Sequence, residues 1–274
     1  MTPLRLEAPA KLNLTLRVVG RRDDGHHLLD SEFVLLELAD RLLLLPGSSG
    51  LRVESERDAD IPVDGRNLAW RGLVAGLGGE PELVCLTLEK RVPSAAGLGG
   101  GSSDAAAAWR LGRASRGASQ APTPTELEEL AAIGADVPFF AAAVAAARVT
   151  GIGEAIEPTA APERHVVLAH PEFGLSTAAI FAELRPDEWG REPNDLLAPA
   201  RRLRPEIDAL FAVMRRAGGE PRLTGSGPTV FAVTEDPERA TAVAKRLTAE
   251  GVRATMTRTR TEPAAIEPIH EEDE

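Results

Sequence analysis

Alternating hydrophobic and polar residues, or short apolar runs rich in β-branched side chains, predict several strands along this chain. The predicted strands are Leu4 to Val19, Phe33 to Leu38, Arg41 to Leu45, Leu83 to Val92, Val166 to Ala169, Arg253 to Thr259 and one that follows a glycine turn within Leu223 to Val233. In the first of them, Lys11 and Asn13 share one face and would lie roughly 7 Å apart. For an isolated strand, a solvated outer face is the simplest interpretation of these two polar residues. Asp24-Gly25, just beyond this strand, predicts a hairpin turn.

In other stretches, apolar residues recur at helical spacing, and polar residues suited to helix ends flank these stretches. The predicted helices are Leu68 to Leu77, Thr125 to Ile133, Thr177 to Leu184, Pro205 to Ala217, and a last one from Asp236-Pro237 to Glu250. Asn67 and Asp236 are the expected N-caps, and Thr125 with Glu128 matches a capping box. Two internal glycines weaken the expectation for the first helix. Asp136, which precedes Val-Pro and an apolar run, is on its own better explained as an N-cap than as a catalytic residue.

The most distinctive stretch is glycine-rich and lies between a predicted strand and an alanine-rich run that begins at Asp104. It consists of Pro93, Ser94, Ala95, Ala96, Gly97, Leu98, Gly99, Gly100, Gly101, Ser102 and Ser103. A strand that leads through such a loop into a helix is a phosphate-binding arrangement, because the glycine backbone approaches an anion closely and the helix start favours negative charge. Ser102, Ser103 and Asp104 also suit the N-cap of that helix. The loop lacks the Gly-Lys pair of a Walker motif and the third glycine of a dinucleotide fingerprint, and a flexible linker is the alternative interpretation.

Composition narrows the class of protein. The chain has 274 residues, of which 43% are hydrophobic, enough for one large domain or two medium ones. A formal net charge of −11 argues against a nucleic-acid binder or a protein that binds anionic membranes. A single cysteine, Cys85, favours a reducing compartment, and the absence of a secretory signal from the sequence leads us to expect the cytoplasm.

Changes in composition indicate where the chain divides. A glycine turn occupies Arg148 to Glu154, and Pro158 to Arg164 is rich in proline and alanine. We therefore expect an N-terminal domain over residues 1–153 and a C-terminal domain over residues 154–260. Residues 261–274 carry acidic residues and prolines, and we expect them to form a disordered tail.

Three motifs taken together are more specific than any one of them. They are Ala8 to Leu14, which contains Lys11-Leu-Asn13; the loop Pro93 to Ser103; and Leu223-Thr-Gly-Ser-Gly-Pro-Thr-Val-Phe231. On these motifs, the chain resembles the GHMP family of small-molecule kinases. Further matches to the members that act on a cytidine-containing alcohol are Asp24-Gly-His-His27, Gly134-Ala-Asp-Val-Pro-Phe139, Gly151-Ile-Gly-Glu154 and Ala169-His-Pro171.

The resemblance implies an α+β, two-lobed GHMP kinase fold with the active site in the cleft between the lobes. It implies ATP as the phosphoryl donor, with Mg²⁺ bridging the phosphate oxygens. In such kinases the residue that matches Asp136 accepts or orients the proton of the attacking hydroxyl, and the residue that matches Lys11 favours the developing alkoxide. Asn13 would hold the substrate or the carboxylate by its amide. The glycine-rich loop would bind the phosphates, and Ser102 or Ser103 is the side chain expected at Mg²⁺.

The acceptor that the resemblance implies is a small molecule, a cytidine diphosphate-linked methylerythritol of the non-mevalonate isoprenoid pathway, phosphorylated on its 2-hydroxyl. The substrate-binding positions that match are Asn13, His26, His27, Thr177 and Phe181. His26 replaces a Tyr that stacks on cytosine in the family, and this chain contains no Tyr. Because imidazole offers less stacking area than a phenol ring, weaker cytidine binding is one expectation. The alternative is that both histidines merely occupy a turn.

Two other functions stay open at this point. One is a GHMP kinase for a different acceptor, such as homoserine or a mevalonate-pathway intermediate. The other is a non-catalytic, nucleotide-binding regulator of the same fold, although such a protein would be expected to lose the Lys or the Asp that this chain retains at Lys11 and Asp136. Pro228 stands where a small residue is more usual in the family and fits a turn. The oligomeric state does not follow from the sequence.

Overall fold

The computed structural model describes residues 1–48, 50–55 and 61–270 of the chain. The strands are β1 Leu4–Arg21, β2 His27–Pro46, β3 Gly50–Ser55, β4 Val84–Lys90, β5 Ala146–Gly151, β6 Ala155–Pro158, β7 His165–His170, β8 Arg222–Leu223, β9 Val230–Thr234, β10 Arg253–Arg258 and β11 Glu267–Pro268. The helices are α1 Leu68–Leu77, α2 Gly100–Ser115, α3 Pro124–Ala131, α4 Val137–Ala141, α5 Thr177–Glu183, α6 Leu197–Leu203, α7 Glu206–Arg216 and α8 Pro237–Ala249. A 3₁₀ turn occupies Pro186–Glu188. Strands and helices are mixed along the chain, and the predicted α+β class is confirmed.

The strands form two sheets that pack against each other. In the seven-stranded sheet the order is β11-β1-β2-β4-β3, and β5 pairs with β2 while β6 pairs with β5. The four-stranded sheet has the order β10-β7-β9-β8. A buried cluster joins them, in which Leu12 and Leu36 of the first sheet pack with Leu168 and Phe231 of the second. The molecule therefore has two lobes with a shared core, and a cleft opens along their junction.

β1 and β2 form one long antiparallel hairpin, and the turn predicted at Asp24-Gly25 is confirmed. The two strands predicted between Phe33 and Leu45 are, in contrast, a single strand. Asp40, which lies between the two predicted strands, stays within β2 because its buried carboxylate accepts backbone N–H bonds from Arg91 and Val92. A long-range partner has replaced the solvent that a polar residue ordinarily requires.

The glycines of α1 serve helix packing. A Cβ built on Gly72 would lie 2.0 Å from the carbonyl oxygen of Ala105, and one on Gly76 would lie 2.3 Å from that of Trp109. The backbones of α1 and α2 can approach this closely only because glycine has no side chain. The expected weakening of α1 is therefore offset by close contact with α2.

Helix ends follow the predicted caps in most cases. The side chains of Asn67 and Asp236 accept N–H bonds at the starts of α1 and α8, as predicted. The capping box of α3 joins Thr123 and Glu126, two residues before the predicted pair of Thr125 and Glu128. The predicted helix α7 is confirmed, and its buried residues Ile207, Leu210, Phe211 and Met214 follow the helical spacing. α6 was not predicted, since Pro199 within its seven residues is ordinarily a helix-breaking signal.

The chain beyond residue 260 returns to the first lobe. β11 pairs with β1, placing Pro268 opposite Leu4, and Ala264 is buried with the core of α1 and α2. An ion pair joins Arg5 and Glu267 at 2.7 Å. The prediction of a disordered tail is therefore wrong for residues 261–270, whose apolar and charged side chains find partners on β1. Residues 271–274 lie outside the described residues.

Three further predictions, two loops and the division into domains, are not fully tested by the residues that the structure describes. The loops predicted at Pro46 to Gly50 and Asp58 to Arg66 include residues 49 and 56–60, which lie outside the described residues. The division into domains after residue 153 stays a prediction, although β6 extends the first sheet to Pro158. Within the ranges that the structure describes, no helix is long and apolar enough to cross a membrane.

Candidate active site

The glycine-rich loop between β4 and α2 forms one wall of a cleft of about 450 Å³. Gly97 and Gly99 have φ angles of +75° and +70°, in the left-handed region that glycine adopts without strain. Gly99 is the N-cap residue of α2, which begins at Gly100. The first N–H groups of a helix find no acceptor within the helix itself. The start of α2 therefore brings donors and the positive end of a helix dipole to this wall.

The predicted N-cap at Ser102, Ser103 and Asp104 is wrong, because all three residues lie within α2. Ser102 lines the cleft, while Ser103 and Asp104 are buried. Lys90 Nζ lies 2.8 Å from Asp104 Oδ2 and also pairs with Asp40. Burial raises the pKa of Asp104; it also opposes charge on Lys90, but the two carboxylates outweigh this and raise the pKa of that lysine. This buried cluster joins the start of α2 to β4 and β2.

Lys11 and Asn13 are buried in the cleft, so their interpretation as a solvated strand face is wrong. The register of β1 against β2 shifts on both sides of this pair, which is the mark of β-bulges. The backbone N–H of Lys11 donates to the carbonyl oxygen of Leu98 at 2.9 Å. β1 is thereby attached to the glycine-rich loop at the point where these two side chains enter the cleft.

The Lys11 ammonium has three neighbours that hold it in place. Its Nζ lies 2.6 Å from Asn13 Oδ1, 3.3 Å from Asp136 Oδ2 and 4.8 Å from the centre of the Phe33 ring. The lysine side chain is only 4% exposed, whereas the Asp136 side chain is 30% exposed. A fixed cation thus stands directly beside a carboxylate that a ligand in the cleft can reach.

Asp136 precedes α4 at the edge of the cleft. Among the residues that the structure describes, its carboxylate caps no N–H group of this short helix, so the N-cap interpretation is wrong. The carboxylate instead faces Lys11. A carboxylate in this position can accept a proton from a bound hydroxyl, and the neighbouring cation stabilises the negative charge that forms.

The third glycine motif closes the cleft from the second lobe. The hydroxyl of Thr224 accepts from the backbone N–H of Asn13 at 3.2 Å and donates to the carbonyl oxygen of Gly97 at 3.3 Å. Gly225 has a φ of +55°, and a Cβ there would lie 3.0 Å from the carbonyl oxygen of Gly97. One hydroxyl therefore connects all three sequence motifs.

Aromatic rings meet at the other end of the cleft. The rings of His27 and Phe181 are stacked, with centroids 5.1 Å apart and planes inclined by 23°. Trp189 meets His27 edge-on at 5.9 Å. Burial first, and the Arg21 cation second, lower the pKa of His27 below its ordinary value of 6.5. A neutral imidazole therefore lies stacked on the ring of Phe181, which lines the cleft.

The structure does not bring His26 to this aromatic group. Its imidazole is 65% exposed and lies 3.2 Å from Asp24 within the hairpin turn. Thr177 does line the cleft, and its hydroxyl lies 2.9 Å from that of Ser226 in the third glycine motif. Of the five predicted substrate-binding residues, four are therefore at or next to the cleft, and His26 is not.

Sequence reasoning missed three residues around the cleft, all in the stretch after α5. Trp189 stands out there only as one aromatic residue in a polar segment. Asp195 accepts N–H bonds from Val18 at 2.7 Å and from three successive residues, 190–192, at 2.7–3.2 Å. Asn194 donates to the carbonyl oxygens of Leu223 and Gly225. Sequence alone does not show the distant partners of these last two residues, which are the third glycine motif for Asn194 and Val18 for Asp195.

Comparison with known proteins agrees with this arrangement. Residues 67–152 match the family model of the GHMP kinases N terminal domain, and residues 178–253 match that of the GHMP kinases C terminal. A 4-diphosphocytidyl-2-C-methyl-D-erythritol kinase of Dinoroseobacter shibae is 39% identical over 272 residues, covering 89% of this chain and 90% of the relative. One of the same name from Thermus thermophilus is 38% identical, covering 89% of this chain and 92% of the relative.

Solved structures give the same picture. The crystal structure of a 4-(cytidine 5'-diphospho)-2C-methyl-D-erythritol kinase superposes with a TM-score of 0.76 and 34% identity, covering 93% of this chain and 98% of that one. A homoserine kinase from Cytophaga hutchinsonii shares the fold, with a TM-score of 0.65 and 16% identity, covering 98% of both chains. The resemblance drawn from the three motifs is confirmed, and the two-lobed fold with it. The chain belongs to the GHMP kinases, a family of ATP-dependent kinases that act on small molecules.

Proposed function

We propose that this chain transfers the γ-phosphoryl group of ATP to the 2-hydroxyl of 4-diphosphocytidyl-2-C-methyl-D-erythritol. The observation that carries the proposal is the Lys11–Asp136 pair, 3.3 Å apart between the glycine-rich loop and the aromatic group of His27 and Phe181. The name shared by relatives at 38–39% identity supports this acceptor. The free thiol of Cys85 supports the cytoplasm as the setting.

Asp136 would act on the acceptor hydroxyl. As the oxygen of the hydroxyl forms its bond to the γ-phosphorus, its proton passes to Asp136, and the bond to the β,γ-bridging oxygen breaks to release ADP. Lys11 lowers the energy of the developing alkoxide because its ammonium is held beside the reacting oxygen by Asn13. Phosphoryl transfer requires positioning and charge stabilisation above all, and these are what the buried ammonium and its fixed partner provide.

The start of α2 would hold the triphosphate. Gly100, Gly101 and Ser102 line the cleft, and the helix dipole favours the phosphate charge there. Mg²⁺, when bound, neutralises charge on the phosphate oxygens. Ser102 is a better candidate than Ser103 for the side chain that contacts Mg²⁺, since Ser102 lines the cleft and Ser103 is buried beneath it. Within the described ranges no group of three His, Cys, Asp or Glu side chains is placed to hold a metal ion, so phosphate oxygens and water would complete its coordination.

The cytidine would lie against the aromatic group. Phe181 offers a ring face, and His27, stacked on it, offers a neutral imidazole that can bond the edge of a base. Thr177, linked to the third glycine motif through Ser226, would contact the part of the substrate between the base and the reacting hydroxyl. His26 remains a predicted substrate-binding residue by its sequence position alone.

The test is ATP consumption by the pure protein with three acceptors supplied in turn: diphosphocytidyl-methylerythritol, homoserine and mevalonate. We expect ADP release with the first acceptor only, and phosphorus NMR of the product should show a new phosphomonoester at the 2-position. Turnover on homoserine or mevalonate would instead assign a different GHMP kinase activity. ATP binding without turnover on any acceptor would favour a regulator.

A further inference from the structure

Ser31 is a buried polar residue of β2 that lies outside every motif used so far. It is 1% exposed and stands opposite Leu16 in the hairpin, next to the register shift that follows Asn13. Its hydroxyl lies 2.5 Å from the carbonyl oxygen of Thr15 and 2.9 Å from Asn13 Nδ2. One hydroxyl therefore joins the bulge of β1 to the amide that holds the Lys11 ammonium.

The directions of these hydrogen bonds are fixed by chemistry. A carbonyl oxygen can only accept, so the Ser31 hydroxyl must donate its one proton to Thr15. That leaves only lone pairs facing Asn13, and the amide must present its NH₂ group to them. The amide oxygen then points to the other side, where it accepts from Lys11 Nζ at 2.6 Å. The orientation of the Asn13 amide is thus fixed from both sides, by the lone pairs of Ser31 and by the Lys11 ammonium.

We propose that Ser31 is a positioning residue for phosphoryl transfer, which acts through Asn13 to hold the Lys11 ammonium beside Asp136. This inference rests on the proposed function for its kinetic consequence, but not for its geometry. Without the hydroxyl, the buried NH₂ group of the amide loses its acceptor, and only Lys11 still holds the amide in place. The amide oxygen can then move away from the ammonium, so that Lys11 is no longer fixed beside Asp136.

The test compares Ser31→Thr, Ser31→Val and Ser31→Ala. Thr and Val have nearly the same shape, so their difference isolates the hydroxyl from any effect of the added methyl group. We expect Ser31→Val and Ser31→Ala to lower kcat roughly 10- to 100-fold relative to Ser31→Thr, with the KM for ATP little changed, because a hydrogen bond in the chain to a charged group is lost. Equal kcat values for the Thr and Val variants would overturn the proposal.

A double-mutant cycle separates positioning from a general structural role. If Ser31 acts through Asn13, then Ser31→Ala should lower kcat no further once Asn13 has been replaced by Ala. Effects that multiply in the double variant would show that Ser31 merely supports the fold. Thermal unfolding of each variant shows whether it is folded, and Ser31→Thr keeps the comparison meaningful if Ser31→Ala is not.

A second readout does not depend on the acceptor. The chain has three lysines, Lys11, Lys90 and Lys245, so ¹⁵N-lysine labelling gives few ammonium signals, and Lys11→Arg identifies the one of interest. We expect the Lys11 signal to be shifted or lost to exchange in Ser31→Val but retained in Ser31→Thr. If the wild type fails to phosphorylate the cytidine substrate, the proposed function fails, and this NMR comparison still decides the role of Ser31. An unchanged signal in Ser31→Val would refute the role of Ser31 itself.

Discussion

Replacing Asp136 by Asn is the sharpest test of the reaction, because the structure separates its chemical effect from its effect on folding. The substitution keeps the shape of the side chain and removes its ability to take a proton. Within the described part of the chain the carboxylate caps no N–H of α4, so that helix loses no hydrogen bond. Lys11 keeps its contact with Asn13 Oδ1 at 2.6 Å. What disappears is one carboxylate beside one ammonium.

The expected magnitudes differ widely for activity and stability. Loss of a general base lowers kcat by about 10²–10⁴-fold, which is about 3–5 kcal/mol in the activation barrier. The ion pair involves a carboxylate that is 30% exposed, so its loss should cost the fold about 1 kcal/mol. For a chain of this length that is a fall of about 2–4 °C in Tm.

The assay measures ADP release at saturating acceptor, together with the affinity for ATP and the unfolding temperature. Asp236→Asn is a matched control, since Asp236, like Asp136, precedes a helix with proline in its first turn, and Asn can replace it as the N-cap. We expect the control to retain its activity and Asp136→Asn to lose it with ATP affinity nearly unchanged. Turnover close to that of the wild type in Asp136→Asn would refute the assignment of the proton acceptor.

Three other outcomes are expected. Because burial and the Arg21 cation lower the pKa of His27 below 6.5, the KM for the cytidine substrate should stay flat as pH falls from 8 to 6.5 and rise only below that. In Arg21→Gln the rise in KM should begin at a higher pH than in the wild type. Identical pH profiles of KM for the variant and the wild type would argue against contact between His27 and the cytosine base. Gly225→Ala should lower both Tm and kcat, since a side chain at φ +55° costs about 1–2 kcal/mol and presses on the site; Gly251→Ala, at φ +80° in open space, should lower Tm alone. Asn67→Ala should cost about 1 kcal/mol of stability through the lost cap of α1, measured by thermal unfolding with kcat as the control.

Features that depend on near neighbours in the chain could be predicted from the sequence. The caps at Asn67 and Asp236 are examples, since donor and acceptor are two or three residues apart. The apolar face of α7 is another, because its period of 3.6 is visible over eleven residues. The motifs also led to Lys11 and Asp136, although only the resemblance to a family connected two residues so far apart.

Features that depend on distant partners could not be predicted from the sequence. The same carboxylate at residue 136 could cap α4 or pair with an ammonium, and the choice is made by a lysine 125 residues away. Residues 39 and 40 were left out of the two predicted strands for the same reason, since the partners of Asp40 at residues 90–92 lie about 50 residues further along the chain. Asp195 is a further case, because the sequence does not show that its carboxylate accepts the backbone N–H of Val18 and so joins a loop to β1. In each case a polar group competes between solvent, local backbone and a remote partner, and only the tertiary structure decides.

The glycines of the two glycine-rich motifs take on a different role once the structure is known. Sequence alone explains them by the approach of a phosphate. In the structure, a Cβ on Gly97 would already lie 2.4 Å from the carbonyl oxygen of Thr224, and one on Gly99 would lie 3.0 Å from the Phe140 ring. A Cβ on Gly225 would lie 3.4 Å from Lys11 Nζ. Gly97 and Gly225 are therefore required for the two lobes to meet, and Gly99 is required for the loop to pack against the first lobe. It follows that the phosphate-binding loop and the acceptor site are built as one packed unit, and that substitutions at these glycines should impair folding and catalysis together.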